Sequence, residues 1–172
     1  MILPHDLLTD PRVSHVFAGL ARTERIVDVG CGIRPCPLPC DHHVCIEPHE
    51  EYVEVLRSWA PTDRTVTVIP GQADLLADQP RHGTTVLLLD VIEHMTKFRG
   101  QRIKRLAEEF EHAVVFTPLG WQEQSAANPD RWGYSGGCWQ AHRSAWRLED
   151  FEGWTLRFWR HYDTAGAILA IR

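Results

Sequence analysis

A glycine turn and an acidic residue stand at a spacing that suits the binding of a nucleoside. The turn is the stretch DVGCG at 28–32, which follows the apolar run RIVDV, and Glu47 stands 19 residues after Asp28. Glycines allow the backbone to approach a ligand closely, and an acidic side chain at the end of the next strand accepts hydrogen bonds from ribose hydroxyls. A lone GxG occurs in many proteins, but the glycines and Glu47 together predict a nucleoside site.

The segment that follows the glycines does not suit a pyrophosphate. Only about a dozen residues separate Gly30 from the second predicted strand, close to the minimum for a crossover that contains a helix. Arg34 stands where a third glycine would be, and Pro35, Pro37 and Pro39 disfavour helical backbone. The first crossover helix is therefore predicted to be shortened or absent. A pyrophosphate needs the N–H groups of that helix, so a nucleoside such as S-adenosylmethionine fits the segment better than NAD.

The same segment carries residues that could ligate a metal ion. Cys36, Cys40, His42 and His43 give the pattern C-x3-C-x-H-H, with Cys31 and Cys45 close by. Zinc sites more often use C-x2-C or H-x3-H pairs, and His43 and Cys45 already belong to a predicted buried strand. The ten histidines are otherwise scattered and indicate no second ligand pair. We therefore predict no metal, and the five cysteines are expected to be reduced thiols.

Strand-like and helical patterns alternate along the chain and would position these residues. Helical spacing covers 11–21, 50–60 and 97–111, where Phe98, Ile103, Leu106 and Phe110 share one face. The last two apolar runs are separated only by Asp163 and Thr164, so they must form an antiparallel hairpin. The pattern predicts an α/β fold with a Rossmann-like, doubly wound, mostly parallel sheet of seven strands that ends in this C-terminal hairpin. The predicted strands are 25–29, 43–47, 65–69, 84–90, 112–118, 154–162 and 165–172.

Length and charge limit the classes of function. The 172 residues suit a single domain, 1–172, with an N-terminal helix in 1–23 and a long loop at 119–146. A net charge of −5 gives no reason to expect nucleic-acid binding. The apolar runs are too short for a membrane span and the N-terminus lacks a signal peptide, so the expected location is cytoplasmic.

With DVGCG (28–32), Glu47 in CIEPHEEY and DVIEHM (90–95), the chain resembles class I S-adenosylmethionine-dependent methyltransferases. The similarity runs from about residue 24 to the end and includes the terminal hairpin. It implies S-adenosylmethionine as cofactor, with Glu47 on the ribose and Asp28 near the amino group of the methionine part. It also implies that Ala73 or Asp74 faces the adenine and that Asp90 and Val91 close the pocket near the methyl group. With Cys31 and Arg34 of the glycine turn included, the predicted cofactor-binding residues are Asp28, Gly30, Cys31, Gly32, Arg34, Glu47, Pro48, Ala73, Asp74, Asp90 and Val91.

Acceptor chemistry is expected from two further segments. Methyl transfer from a sulfonium is an in-line displacement, and a hydroxyl or ammonium acceptor also needs a general base. His94 is the first candidate for that base and His142 the second, although Glu93 and His94 could instead only cap the following helix. The loop 119–146 is predicted to form the acceptor wall through Trp121, Tyr134, Trp139 and Arg143, or else to be a structural cover. Arg143 could bind an acidic group or pair with Glu149.

The sequence therefore predicts a methyltransferase that acts on a small molecule, with a homodimer as a possible assembly. Two alternatives stay open. One is a methyltransferase-like subunit that binds cofactor or partner without catalysis. The other is a nicotinamide-dependent oxidoreductase, against which the short glycine loop and the terminal hairpin both argue.

Overall fold

The computed structural model describes residues 23–59, 61, 63–126, 130, 132–159 and 166–172, without the side chains of 158 and 159. The predicted N-terminal helix at 11–21 and the turn of the terminal hairpin lie outside these residues. Among the described residues, no helix has the length and apolar character needed to cross a membrane.

Seven strands form one sheet in the order β3-β2-β1-β4-β5-β7-β6. The first five strands are parallel, and β7 runs antiparallel to both β5 and β6. The predicted fold class is thereby confirmed, including the terminal hairpin. The strands are β1 (Thr23–Val29), β2 (Cys40–Glu47), β3 (Thr65–Pro70), β4 (Thr84–Leu89), β5 (His112–Pro118), β6 (Thr155–Trp159) and β7 (Ala167–Ile171).

Three α-helices and three 3-10 helices connect the strands in the described residues. The α-helices are α1 (Glu50–Ser58), α2 (Lys97–Ala107) and α3 (Gly137–Gln140). The 3-10 helices are Ala73–Asp78, Ile92–His94 and Leu148–Phe151. The segments predicted to bind the ligand lie where β1, β2 and β4 end, at the edge where open α/β sheets bind ligands.

The first crossover contains no helix, as its prolines predicted. Residues 30–39 join β1 to β2 as turns and extended backbone. Cys36 and Leu38 from this crossover are buried against Ile26, Leu87 and Phe116 on one face of the sheet. Two side chains of an irregular segment thus occupy apolar surface that a crossover helix would otherwise cover.

The other face of the sheet packs against α2 and aromatic residues from the second half of the chain. Ile103 and Ala107 of α2 are fully buried there, together with Trp146 and Phe151. The expected position of Phe98 on the buried face of this helix was wrong, because its side chain is 75% exposed. At about 3.6 residues per turn, Phe98 falls well to one side of Ile103, and only the central part of the predicted stripe faces the sheet.

Candidate functional site

A cavity opens at the carboxyl ends of the strands and collects most of the predicted cofactor residues. The crossover after β1 contributes Gly30, Cys31, Gly32 and Arg34 to its lining, and the end of β2 contributes Glu47 and Pro48. Ala73, Asp90 and Val91 line the same cavity. Asp28 and Asp74 are not among the described residues that line it.

The two glycines of the turn have backbone conformations that few other residues adopt. Gly30 has φ 63° and Gly32 has φ 60°. A Cβ at Gly30 would lie 3.1 Å from a methyl carbon of Val91, and a Cβ at Gly32 would lie 2.5 Å from the Trp132 ring. The turn is therefore glycine for two reasons, the left-handed backbone and the close approach of Val91 and Trp132.

Glu47 ends β2 as a buried carboxylate whose two oxygens are both oriented by backbone amides. Gly32 N donates to Oε2 and His49 N donates to Oε1, each at 2.9 Å. Burial raises the pKa of Glu47 to about 7, the two amides oppose this rise, and Asp28 adds to it. Each carboxylate oxygen keeps a further lone pair, so the side chain can accept two more hydrogen bonds from a ligand.

Asp28 lies below the glycine turn and holds the crossover in place from within. Its Oδ2 accepts a hydrogen bond from Cys36 N at 2.8 Å and lies 3.4 Å from His43 Nε2. Burial disfavours the charged form of His43, but Asp28, Cys40 and Cys45 together raise the pKa of His43 to about 11. The structure places Asp28 in a buried ion pair under the loop. His42, by contrast, contacts Arg25 and Thr67.

The segment GQADLL at 71–76 brings one of its two predicted residues to the cavity. Ala73 lines the cavity together with Gln72. The carboxylate of Asp74 instead forms ion pairs with Arg99 and Arg102 of α2. Asp74 thus joins the 3-10 helix Ala73–Asp78 to α2.

Asp90 follows β4 in a strained conformation next to the cavity. Among the described residues it is the one non-glycine with positive φ, at 54°. Its backbone N–H donates to Phe116 O at 2.9 Å, which ties the turn to β5. Left-handed backbone at a non-glycine residue is often found at functional sites.

The turn after Asp90 and the loop 119–146 meet at Glu93. Its backbone carbonyl accepts hydrogen bonds from Arg143 N at 2.8 Å and Ser144 N at 3.1 Å. This pairing brings the rings of His94 and His142 to a centroid distance of 5.0 Å. His94 lines the cavity, whereas His142 stands beside it. The two predicted catalytic residues, 48 positions apart in the chain, are therefore neighbours.

Of the four residues predicted to form the acceptor wall, Trp139 and Arg143 line the cavity, whereas Trp121 and Tyr134 do not. Trp121 is 58% exposed, and Tyr134 packs edge-on against Tyr52 at 5.8 Å. The Arg143 side chain donates to Cys138 O at 3.2 Å. Parts of the loop are structural cover, as the alternative interpretation expected, since Trp146 is fully buried in the core.

A buried carboxylate organises the middle of this loop. Asp130 Oδ1 accepts from Trp132 N at 2.8 Å and Tyr134 N at 3.2 Å, and Oδ2 accepts from Gly136 N at 3.0 Å and from the Tyr52 hydroxyl. The resulting turn places the Trp132 ring over Gly32. It therefore connects the loop 119–146 to α1 and to the glycine turn.

Several lining residues were missed by sequence reasoning. Trp132 lies in the loop 119–146 and Tyr52 lies in α1, and the sequence analysis assigned neither of them to the site. Both line the cavity, as do Gln124, Cys138 and Gln140. Gln140 Nε2 donates to the Tyr52 hydroxyl at 2.9 Å. No local pattern marks these residues, because their position depends on the loop folding back over α1.

Solved structures share this fold over nearly the whole chain. A magnesium protoporphyrin IX methyltransferase from Synechocystis PCC 6803, with bound SAH, matches 98% of this chain and 85% of its own with TM-score 0.61 and 16% identity. A SAM-dependent methyltransferase from Archaeoglobus fulgidus matches 96% of this chain and 93% of its own with TM-score 0.61 and 13% identity. TehB from Haemophilus influenzae matches 98% of this chain and 66% of its own with TM-score 0.63 and 9% identity.

The chain therefore has the fold of class I S-adenosylmethionine-dependent methyltransferases. At these identities the likeness concerns the fold. No protein-family model matches the sequence, and no curated protein matches it either.

Proposed function

We propose that this protein transfers the methyl group of S-adenosylmethionine to a small-molecule acceptor. The observation that carries the proposal is the cavity in which the glycine turn and the Glu47 carboxylate meet the turn after Asp90 and the loop 119–146. The residues proposed to bind the nucleoside and those proposed to bind the acceptor thus line one space. One of the solved structures named above, which has the same fold, contains bound SAH and supports the choice of cofactor.

The cofactor would lie across the ends of β1 and β2. Glu47 would accept hydrogen bonds from both ribose hydroxyls, since each of its oxygens is already oriented by one backbone amide. Pro48 and Ala73 would flank the adenine, and Gly30, Cys31, Gly32 and Arg34 would line the methionine part. Asp90 and Val91 would lie beside the transferable methyl group. Asp28 would act from below the turn, by holding Cys36 N and pairing with His43.

The acceptor would enter between the turn after Asp90 and the loop 119–146. The protein would hold the acceptor atom in line with the S–CH3 bond, which then breaks as the new bond to the methyl forms and S-adenosylhomocysteine leaves. His94 lines the cavity with His142 beside it, so this pair is the candidate acceptor of the proton that a hydroxyl or ammonium acceptor loses. Trp139 and Arg143 would contact the rest of the acceptor.

Calorimetric titration with S-adenosylmethionine, S-adenosylhomocysteine and NAD tests the proposed cofactor. We expect both adenosyl ligands to bind with one site per chain and NAD not to bind, because the crossover has no helix N-terminus for a pyrophosphate. Binding of NAD without binding of S-adenosylmethionine would favour the oxidoreductase. Release of S-adenosylhomocysteine on incubation with a small-molecule extract would separate an enzyme from a subunit that only binds the cofactor.

Affinity for the nucleoside is expected to rise with pH between about 6 and 8. The pKa of Glu47 is raised to about 7, so the carboxyl is largely protonated at pH 6 and cannot accept from both ribose hydroxyls. Below pH 7 the affinity should fall by up to about tenfold per pH unit, since one pKa unit corresponds to about 1.4 kcal/mol.

Methylthioadenosine is the appropriate probe, because it lacks the ionisable amino acid part of the cofactor. Calorimetry at pH 6, 7 and 8 would be compared between the native protein and Glu47→Gln, which has no titrating group at this position. A pH dependence that persists unchanged in Glu47→Gln would assign it to another group and contradict the role given to Glu47.

A further inference from the structure

The two histidines beside the cavity are held in the way that metal-ligating histidines are held. His94 Nδ1 lies 3.2 Å from Ala141 O, and His142 Nδ1 lies 2.7 Å from Gln122 O. A carbonyl oxygen can only accept a hydrogen bond, so each Nδ1 carries a proton, and in the neutral ring the lone pair that can ligate a metal is then on Nε2. A hydrogen bond from the second ring nitrogen to a carbonyl fixes the tautomer and orientation of an imidazole ligand.

Glu93 supplies a buried carboxylate next to these rings. Its side chain is 1% exposed, and Oε2 accepts from Thr117 Oγ1 at 3.1 Å. Oε1 is buried without a hydrogen-bond partner among the described residues. A buried carboxylate oxygen that lacks a donor is costly unless a ligand or ion satisfies it. Burial, and with it the nearby Asp90 carboxyl group, raises the pKa of Glu93 well above its ordinary value.

Glu93, His94 and His142 converge on one point. One ligand atom from each of the three lies within 4.8 Å of the other two. Ligand atoms that share a first-row metal ion lie about 3–4 Å apart, since each bond is about 2.1 Å long. Small side-chain rotations would therefore bring the three atoms to bonding distance. The backbone bonds from Arg143 and Ser144 to Glu93 hold the two chain segments together while this happens.

We propose that Glu93, His94 and His142 form a binding site for a divalent first-row transition-metal ion such as Mn²⁺. Two imidazoles and one carboxylate favour Mn²⁺, Fe²⁺, Co²⁺ or Zn²⁺ over Mg²⁺ or Ca²⁺. Three protein ligands leave coordination positions open for a bound molecule. This site lies outside the cysteine-rich segment, for which the sequence analysis considered a metal and predicted none. It joins residues that are too far apart in the chain for a spacing pattern to reveal.

The position of the site indicates the class of acceptor, an inference that rests on the proposed methyl transfer. His94 lines the cavity, so an ion at this site would reach an oxygen of the acceptor. A metal ion lowers the pKa of a hydroxyl bound to it and thereby makes the oxygen a better nucleophile at neutral pH. The acceptor would then be a hydroxyl-bearing molecule. At this site His94 would act as a metal ligand and not as the proton acceptor. The proton that the hydroxyl loses would leave to solvent.

Mn²⁺ binding to tag-free, metal-stripped protein tests the site. Electron paramagnetic resonance detects unbound Mn²⁺, and we expect one ion bound per chain. His94→Ala, His142→Ala and Glu93→Gln should each weaken binding by at least about tenfold, since even residues that only support ligands contribute about 10–100-fold. His82→Ala is the matched control, because His82 is exposed and precedes β4 at the opposite end of the strands. Equal Mn²⁺ affinity in all four variants would overturn the proposal.

Absorption spectra of the Co²⁺-bound protein would test whether a cysteine thiolate ligates the ion. Cys31 and Cys138 also line the cavity, and a cysteine ligand would give an intense charge-transfer band in the near ultraviolet. We expect visible Co²⁺ bands without that charge-transfer band, and we expect Cys138→Ser to bind normally. A strong thiolate band that disappears in Cys138→Ser would contradict the assigned ligands.

The two proposals fail separately. Protein that binds S-adenosylmethionine but no Mn²⁺ would overturn the metal site and leave the proposed function in place. Protein that binds Mn²⁺ at the three residues but no S-adenosylmethionine would overturn the proposed function and leave the metal site in place. Circular dichroism must show native folding for each variant, and His142→Ala is the safer probe if replacement of the buried Glu93 side chain unfolds the protein.

Discussion

Glu47→Ala is expected to lower the affinity for S-adenosylhomocysteine by about 100-fold or more. The change removes a buried carboxylate that would accept hydrogen bonds from both ribose hydroxyls, and hydrogen bonds to a charged group contribute about 1.5–3 kcal/mol each. It also removes the acceptor of Gly32 N and His49 N, so the glycine turn loses part of its orientation. Calorimetric titration of the purified variant measures the effect.

Two further variants make this result interpretable. Glu47→Gln keeps the shape and one acceptor oxygen, and it should fall between the native protein and Glu47→Ala. Glu54→Ala removes an exposed carboxylate of α1 that pairs with Arg57, and it should bind as the native protein does. If Glu47→Ala melts like the native protein and binds with the same affinity, Glu47 does not hold the ribose.

Asp130→Asn is expected to release the middle of the loop 119–146 from α1. The carboxylate accepts four hydrogen bonds, from Tyr52, Trp132, Tyr134 and Gly136, and an amide offers only one oxygen to these donors. Amide hydrogen exchange at 132–136 should accelerate by at least about tenfold, which corresponds to about 1.4 kcal/mol. Cofactor affinity should also fall, because the Trp132 ring would no longer be held over Gly32.

The stability that the Asp130 carboxylate contributes should decrease in acid. Burial alone would raise the pKa of Asp130, but the hydrogen bonds from Tyr52 and from the backbone amides lower it below its usual value. A group with a lowered pKa stabilises the fold above its ordinary pKa of 3.8 and loses that contribution as the pH falls through the lowered value.

The exposed Asp78→Asn is the control for the hydrogen-exchange measurement on Asp130→Asn. Equal exchange rates at 132–136 in Asp130→Asn and Asp78→Asn would refute the anchoring role of Asp130.

The fold followed from patterns that are local in the chain. Buried strands contain continuous apolar runs, such as 86–89 in β4. Only two residues separate the last two runs, and this short connection predicted their antiparallel pairing. The prolines at 35, 37 and 39 predicted the helix-free crossover. The failure at Phe98 shows the limit of periodicity, because helical spacing does not determine which part of a broad stripe faces the sheet.

The site was predictable mainly where its residues lie at the ends of strands or directly after them. Gly30, Gly32 and Glu47 follow directly from strand ends and reach the cavity. Asp74 is drawn away by Arg99 and Arg102 of α2, an attraction that no spacing in its own segment reveals. The meeting of His94 with His142, and of Trp132 with Gly32, depends on how a loop of 28 residues folds back, which only tertiary contacts decide.

The place of β7 in the sheet has a consequence for how the chain assembles during synthesis. β7 lies between β5 and β6, so β6 leaves the ribosome before the strand that joins it to the sheet exists. Ile168, Leu169 and Ala170 complete the cores on both faces, and Arg172 exchanges two backbone hydrogen bonds with Ala113. Nascent chains that stop before 167 should therefore expose apolar strand edges and recruit chaperones, and closure of the sheet should wait for the last six residues of this sequence.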